Sequence, residues 1–144
     1  MSETMALADD YRLDDQVGFR LRQATQRHTA IFAERMVAGL TPTQFAAMAK
    51  LRELGPASQN LLGRRTAMDA ATIKGVIDRL RERGFAETRR DPADGRRLLV
   101  ALTPEGQRVA AEAIAAGRII TEETLGPLNA AEQRRLLDLL AKLG

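Results

Sequence analysis

TAMDAATIKGVIDRLRERGFAETRRDPADGRRLLVALTPEG, residues 66–106, decides the fold of this 144-residue chain. Asp69 is a helix N-cap residue type, and the helix it opens runs through Arg83 to a stop at Gly84. Ile73, Val76, Ile77 and Leu80 recur at helical spacing, whereas Ala71, Lys74, Gly75, Asp78 and Arg81 fall mostly on the other face. Two strands follow, Phe85 to Arg90 and Arg97 to Leu102, joined by Asp91-Pro92-Ala93-Asp94-Gly95-Arg96, whose Pro and Gly favour a turn. Thr103-Pro104 then caps and opens another helix. A basic helix followed by a short ribbon with arginines at its tip can place one element in a DNA groove and the other beside it, so nucleic-acid binding is the first expectation.

Upstream, a long helix is predicted from about Tyr11 to Ala38, with Val17, Leu21, Ala24, His28, Ile31 and Arg35 at three- and four-residue steps. Gly39 ends it. Thr41-Pro42-Thr43-Gln44 supplies an N-cap, a first-turn proline and a Gln three residues after the cap, so a second helix starts at Pro42 and stops at Gly55-Pro56. Ser58 caps a short third helix reaching Arg65. Downstream, the helix from Pro104 continues to about Leu125, is broken by Gly126-Pro127, and gives way to a last helix whose start at Asn129 with Glu132 resembles a capping box. That last helix carries Leu136, Leu137, Leu139 and Leu140, too many for a helix standing alone. Apolar stripes at both ends of the chain point to terminal helices that meet each other and a second copy, hence a homodimer. The fold class is mainly α with a small β-wing.

Composition sets the outer limits. With 44% apolar and 28% charged residues the chain is a globular mixture, and no apolar run is long enough for a membrane span. The acidic first fifteen residues lack the pattern of a secretory signal, and a cytoplasmic location is expected. Without cysteine there is no disulfide, thiolate metal site or thiol chemistry. A single histidine, and the absence of a P-loop or Gly-x-Gly-x-x-Gly, leave little for an enzyme; no catalytic residue, metal or cofactor is expected. Net charge is +3, but between Arg64 and Arg97 ten basic residues face six acids, a local excess of +4. Such a segment between near-neutral flanks is a footprint for phosphate.

The run from Asp69 to Leu80 with Gly84, the sequence Arg-Arg-Asp-Pro-Ala-Asp-Gly-Arg-Arg at 89–97 and Leu-Thr-Pro-Glu-Gly at 102–106 resemble the winged helix-turn-helix of the MarR (multiple antibiotic resistance regulator) family. With the element order on either side, the resemblance covers about Tyr11 to Leu143. It implies a dimeric transcription regulator, usually a repressor, released from DNA by a small, often aromatic and anionic ligand. Three further stretches, 27–35, 58–64 and 66–75, are similar to the members of that family that repress nicotinate degradation and respond to 6-hydroxynicotinate. The implied organisation is a flexible N-terminus at 1–10, a winged helix-turn-helix at 41–103, and a dimerisation region at 11–40 and 104–144.

Carried onto this sequence, the resemblance places Ala71, Thr72, Lys74, Gly75 and Arg79 of the recognition helix in or near the major groove and makes Arg96 the wing arginine. Lys can address guanine acceptors and Thr either base edges or phosphate. Gly75 lets the backbone come close, and Asp94 can orient the Arg96 guanidinium toward the narrow minor groove of A·T-rich DNA. An ion pair to Asp78 or Glu82 is the competing role for Arg79. Asn60, Arg64 and Arg65 are candidate phosphate contacts.

The effector pocket the family uses falls between the first helix, the second helix and the DNA-binding region. His28 faces it or is a satisfied core histidine. With Arg22 it can hold a carboxylate through the guanidinium and a ring oxygen or nitrogen through the imidazole, the two not necessarily from one subunit. Phe19, Phe32, Phe45 and Met48 can supply apolar walls, though they serve equally as core. The alternative to a regulator is a winged-helix protein-interaction module that does not bind DNA.

Overall fold

A computed structural model describes residues 10–144; the expected flexible segment 1–10 lies, but for Asp10, outside the described residues. Six α-helices and two strands follow a short 3-10 turn at Leu13–Asp15: α1 Val17–Arg35, α2 Pro42–Leu54, α3 Gln59–Arg65, α4 Ala70–Glu82, β1 Ala86–Arg90, β2 Leu98–Leu102, α5 Pro104–Thr124 and α6 Ala130–Leu143. They form two compact units: Arg35–Thr121, and the residues up to Glu34 together with Glu122–Gly144.

In the Arg35–Thr121 unit, caps set the helix starts. The Thr41 side chain accepts from the Gln44 N–H while the Gln44 side chain accepts from the Thr41 N–H, with Pro42 opening the helix. Ser58 accepts from the Leu61 N–H and Asp69 from the Thr72 N–H. Each cap satisfies an amide that the first helical turn leaves without an internal partner. The core joins Ala47, Met48 and Leu51 of α2, Leu62 of α3, the Ile73-Val76-Ile77-Leu80 face of α4, Phe85, the inward residues of the strands, and Val109, Ala110 and Ala113 of α5. Leu51, Leu62 and Leu80 are completely enclosed, each contributing about 1.5–3 kcal/mol from burial. Because three α5 residues belong to this core, the unit extends past residue 103.

The strands pair antiparallel from Ala86↔Leu102 to Arg90↔Leu98. Ala57, just ahead of α3, adds a one-residue bridge to Val100, with hydrogen bonds of 3.0 Å and 2.7 Å. α5 approaches the start of the ribbon closely. A Cβ on Gly106 would lie 1.9 Å from the Phe85 carbonyl oxygen, which already accepts from the Thr103 N–H.

The first helix is shorter than its periodicity predicts. At its start the chain forms the separate 3-10 turn, with Gln16 extended and its side chain donating to the Arg12 carbonyl. At its end the chain leaves the helix after Arg35 so that Leu40 can be buried and Met36 and Val37 can pack on the core. The turn is made by Ala38 and Gly39, both at positive φ; Ala38 is one of two non-glycine residues among those described in that conformation, which costs an L-residue energy.

In the other unit, Arg27 of α1 donates to the last carbonyls of α5, Glu123 and Thr124, at 2.7 and 3.3 Å. A cation there complements the negative end of the helix. The α6 start is the expected capping box, Asn129 with Glu132. No residue of α6 is buried, and Leu137, Leu139, Leu140 and Leu143 are exposed, as are Val17 and Leu21 of α1. Among the described residues no helix is long and apolar enough to cross a membrane.

Candidate nucleic-acid interface

α3 and α4 form a helix-turn-helix whose turn runs from Thr66 to Asp69. A Cβ on Gly63 of α3 would sit 3.2 Å from the Ile73 side chain, and the Gly63 carbonyl accepts from the Met68 N–H. The small residue therefore lets the two helices approach at this point. With Ile73, Val76, Ile77 and Leu80 turned into the core, α4 presents Ala71, Thr72, Lys74 and Arg79 to solvent. Gly75 is half-buried, yet a Cβ there would meet nothing within 4 Å. Its lack of a side chain thus serves no contact inside the fold. Lys74 pairs with Asp78 one turn on, Nζ to Oδ2 at 2.9 Å; an exposed pair of this kind is weak and exchangeable for phosphate or a base. Asp78 is thereby engaged with Lys74, and no ion pair to Arg79 occurs among the described residues. Asn60, Arg64 and Arg65 of α3 are exposed.

The hairpin tip is tied by its own polar groups. Asp91 Oδ1 accepts from the Ala93 N–H at 2.8 Å and Asp94 Oδ1 from the Arg96 N–H at 3.1 Å, side chains mimicking a backbone turn. Arg90 Nη1 donates to the Gly95 carbonyl at 2.7 Å. Arg96 Nε is 3.3 Å from Asp94 Oδ1 while the rest of that side chain stands in solvent. Arg89 pairs with Glu87 and Arg97 loosely with Asp91. The outcome is a basic, pre-formed ribbon tip beside a basic helix face.

Two other arginines have structural work that sequence reasoning missed. Arg83, at the end of α4, donates to the Ala38 carbonyl and lies 4.6 Å over the Phe85 ring. Arg27 closes the end of α5, as described above. Both contacts span sequence separations that leave no local signal.

The side chains expected at an effector site divide between the two units. Phe45 and Met48 belong to the Arg35–Thr121 unit: Met48 is completely buried in its core, and the Phe45 ring faces Gly117, where a Cβ would come within 2.7 Å of it. Phe19, Arg22, His28 and Phe32 lie on α1. Phe32 is buried and its ring is 6.4 Å from that of His28. His28 is exposed, with Nδ1 2.9 Å from Thr124 Oγ1. The Arg22 guanidinium lies 5.9 Å over the half-buried Phe19 ring and borders an open groove of about 530 Å³ that continues past Thr25 and Thr29 to Ala33. His28 does not line that groove, as six helical residues rotate the two side chains about 120° apart.

A helix-turn-helix with an arginine-tipped wing, presenting a basic face and an open glycine to solvent, defines a winged-helix transcription regulator. The MarR family pattern matches residues 40–98. The HTH-type transcriptional repressor NicR of Pseudomonas putida is 42% identical over 134 residues, 92% of this chain and 85% of that protein. Among solved structures, a probable transcriptional regulator from Pseudomonas aeruginosa is 56% identical with a TM-score of 0.88, covering 92% of this chain and all of the other. Bordetella bronchiseptica BpsR, whose DNA binding is regulated by 6-hydroxynicotinic acid, is 41% identical with a TM-score of 0.86, covering 92% of this chain and 96% of BpsR. The chain belongs to the MarR family of transcription regulators and, like the relatives named as such, is not an enzyme.

Proposed function

We propose that this protein is a cytoplasmic homodimeric repressor that binds a palindromic operator and is released from it by a small aromatic carboxylate of the 6-hydroxynicotinate type. One observation carries the DNA-binding part: Lys74 and Arg79 on the outward face of α4 and the wing arginine, Arg96, have no task inside the fold beyond exchangeable ion pairs, while Gly75 leaves room for close approach. Lys74, Thr72, Ala71 and Arg79 read the major groove, Arg96 enters the minor groove, and Asn60, Arg64 and Arg65 hold phosphates. Residues 41–103 form the DNA-reading part, and the helices at 11–40 and 104–144 the dimerisation region. The exposed leucines of α6, with Val17 and Leu21 of α1, support a second copy as their cover.

The effector class rests on the likeness to NicR and to BpsR. Arg22 binds the carboxylate and His28 the ring substituent; being on different faces of one α1, they reach a single ligand from two protomers. Phe19 and Phe32 of α1 bound the apolar part of the site, whereas Met48 and Phe45 serve the core of the Arg35–Thr121 unit. Release follows if the ligand prefers a dimer whose recognition helices no longer match successive major grooves, about 34–36 Å apart.

Fluorescence anisotropy on the protein's own upstream DNA, with 6-hydroxynicotinate and with nicotinate, tests this reading. Tight binding released by the hydroxylated acid alone is expected. Binding that ignores both acids keeps the regulator and overturns the effector class. No salt-sensitive binding to any duplex would leave the protein-interaction reading.

A further inference from the structure

Between the start of α3 and the outer edge of β2 lies a cleft of about 460 Å³ lined by Ser58, Gln59, Asn60, Arg64, Arg97 and Leu98. Asn60 and Arg64 are one helical turn apart and so share a face of α3. Arg97 faces them from the ribbon. The two walls are held at a fixed spacing by the reciprocal hydrogen bonds between Ala57 and Val100, which dock the residue before α3 onto the ribbon. Arg97 is steadied at its base: its carbonyl accepts from the Asp91 N–H at 2.9 Å, and its Nε is 3.9 Å from Asp91 Oδ2. Arg64 makes no ion pair among the described residues, and no carboxylate lines the cleft.

Two guanidinium groups and a neutral amide around one opening match the donor set for a single phosphodiester, since guanidinium forks pair with phosphate oxygens through parallel N–H donors. Leu98, 57% exposed at the same opening, offers an apolar surface to a sugar ring. We propose that Arg64 and Arg97, from two separate elements, clamp one backbone phosphate per half-site, with Asn60 as third donor, and so set how the helix-turn-helix and the wing, already docked on each other, seat together on the duplex. This rests on the DNA-binding reading and adds to it: Arg97 becomes a phosphate ligand beside the groove-reading Arg96, and Arg64 and Arg97 act on the same phosphate rather than on two.

The test uses the full chain and its upstream duplex. In salt titrations, Arg64→Gln and Arg97→Gln should each weaken binding about tenfold or more and lower the slope of log K against log salt by about 0.9 per half-site. The double variant should lose little more than either single one, and Arg97→Lys should restore the slope. A scan with single neutral methylphosphonate linkages should find one position per half-site that weakens the wild type and is silent in Arg97→Gln. A wild-type slope in Arg97→Gln, additive losses in the double variant, or an unchanged methylphosphonate pattern overturns the clamp while leaving the regulator in place. Absence of salt-sensitive duplex binding by the wild type overturns the DNA-binding reading itself.

Discussion

Asp94 Oδ1 accepts from Arg96 twice, from its backbone N–H at 3.1 Å and from Nε at 3.3 Å, yet the Arg96 side chain is 94% exposed. A surface pair held this openly adds almost nothing to stability. Its value is orientation: the guanidinium starts from one direction before DNA arrives. Arg96→Ala should therefore leave the melting temperature unchanged and cost on the order of 1 to 3 kcal/mol of operator affinity. Asp94→Ala should cost less, because the charge remains and only its aim is lost. Anisotropy titrations of both variants check this, and undiminished binding by Arg96→Ala would remove the wing from recognition.

Gly75 separates stability from function. A glycine inside a helix is less stable than alanine by about 0.5–1 kcal/mol, and at this position a Cβ meets nothing within 4 Å. Gly75→Ala should raise the unfolding free energy by about that amount while weakening operator binding, since the added methyl stands where the duplex approaches. Denaturant unfolding and anisotropy on one preparation decide it. Affinity that holds steady or rises would mean that DNA does not come close to this turn of α4.

Much of this was legible in the sequence, for reasons that are local. Thr41 with Gln44, Ser58, Asp69, and Asn129 with Glu132 announce helix starts because caps act within four residues, and all four are made. The division of α4 between Ile73-Val76-Ile77-Leu80 and its outward face follows from helical periodicity alone. The ends of α1 depart from the periodic pattern because periodicity carries no information about Gln16 bonding back to Arg12, or about a turn at Ala38 and Gly39 that frees Leu40 for the core. Contacts such as Arg83 to Ala38, Arg27 to the end of α5 and Ala57 to Val100 join distant segments through single residues, and no pattern along the chain encodes them. The MarR resemblance supplied what periodicity lacks, the roles proposed for Arg96 and for the outward face of α4.

Gly106 is demanded by packing. A Cβ there would stand 1.9 Å from the Phe85 oxygen, a backbone atom held by the Thr103 N–H and flanked by the Thr103 Oγ1 bond to the Gly84 carbonyl. No side-chain adjustment relieves such a clash, so Gly106→Ala must shift α5 against the ribbon. A loss of about 3 kcal/mol, the upper part of the range for overpacking, is expected. A variant as stable as wild type in urea unfolding would show that α5 moves freely at this end.

For the effector, His28→Ala and Arg22→Ala should retain operator binding and respond weakly to 6-hydroxynicotinate, because both side chains are exposed on α1 and neither is part of the core. Thr124→Val, close in shape but without the hydroxyl that sits 2.9 Å from His28 Nδ1, should blunt the response in part by freeing the ring to turn. Unfolding of His28→Ala would favour a structural role. Unaltered release in both alanine variants would place the acid elsewhere.

Asp69 gives the recognition helix a pH dependence of known sign. Hydrogen bonding from the Thr72 backbone N–H and then from the Thr72 side chain holds its carboxyl below the ordinary Asp value, outweighing a small opposing effect of desolvation. A folded-state pKa below the unfolded one means that the charged cap stabilises the native state at any pH above the ordinary Asp value, and that this contribution fades as pH falls through the folded-state value. Asn caps a helix about as well as Asp but does not titrate. Asp69→Asn should therefore be close to wild type and flat in this respect, with wild type losing ground to it below about pH 4, while Asp69→Ala should melt lower across the whole range. Melting temperatures of the three proteins between about pH 7 and pH 3 test the assignment; a wild-type advantage over Asn that grows on acidification would contradict it, since the protonated carboxyl would then be the better cap.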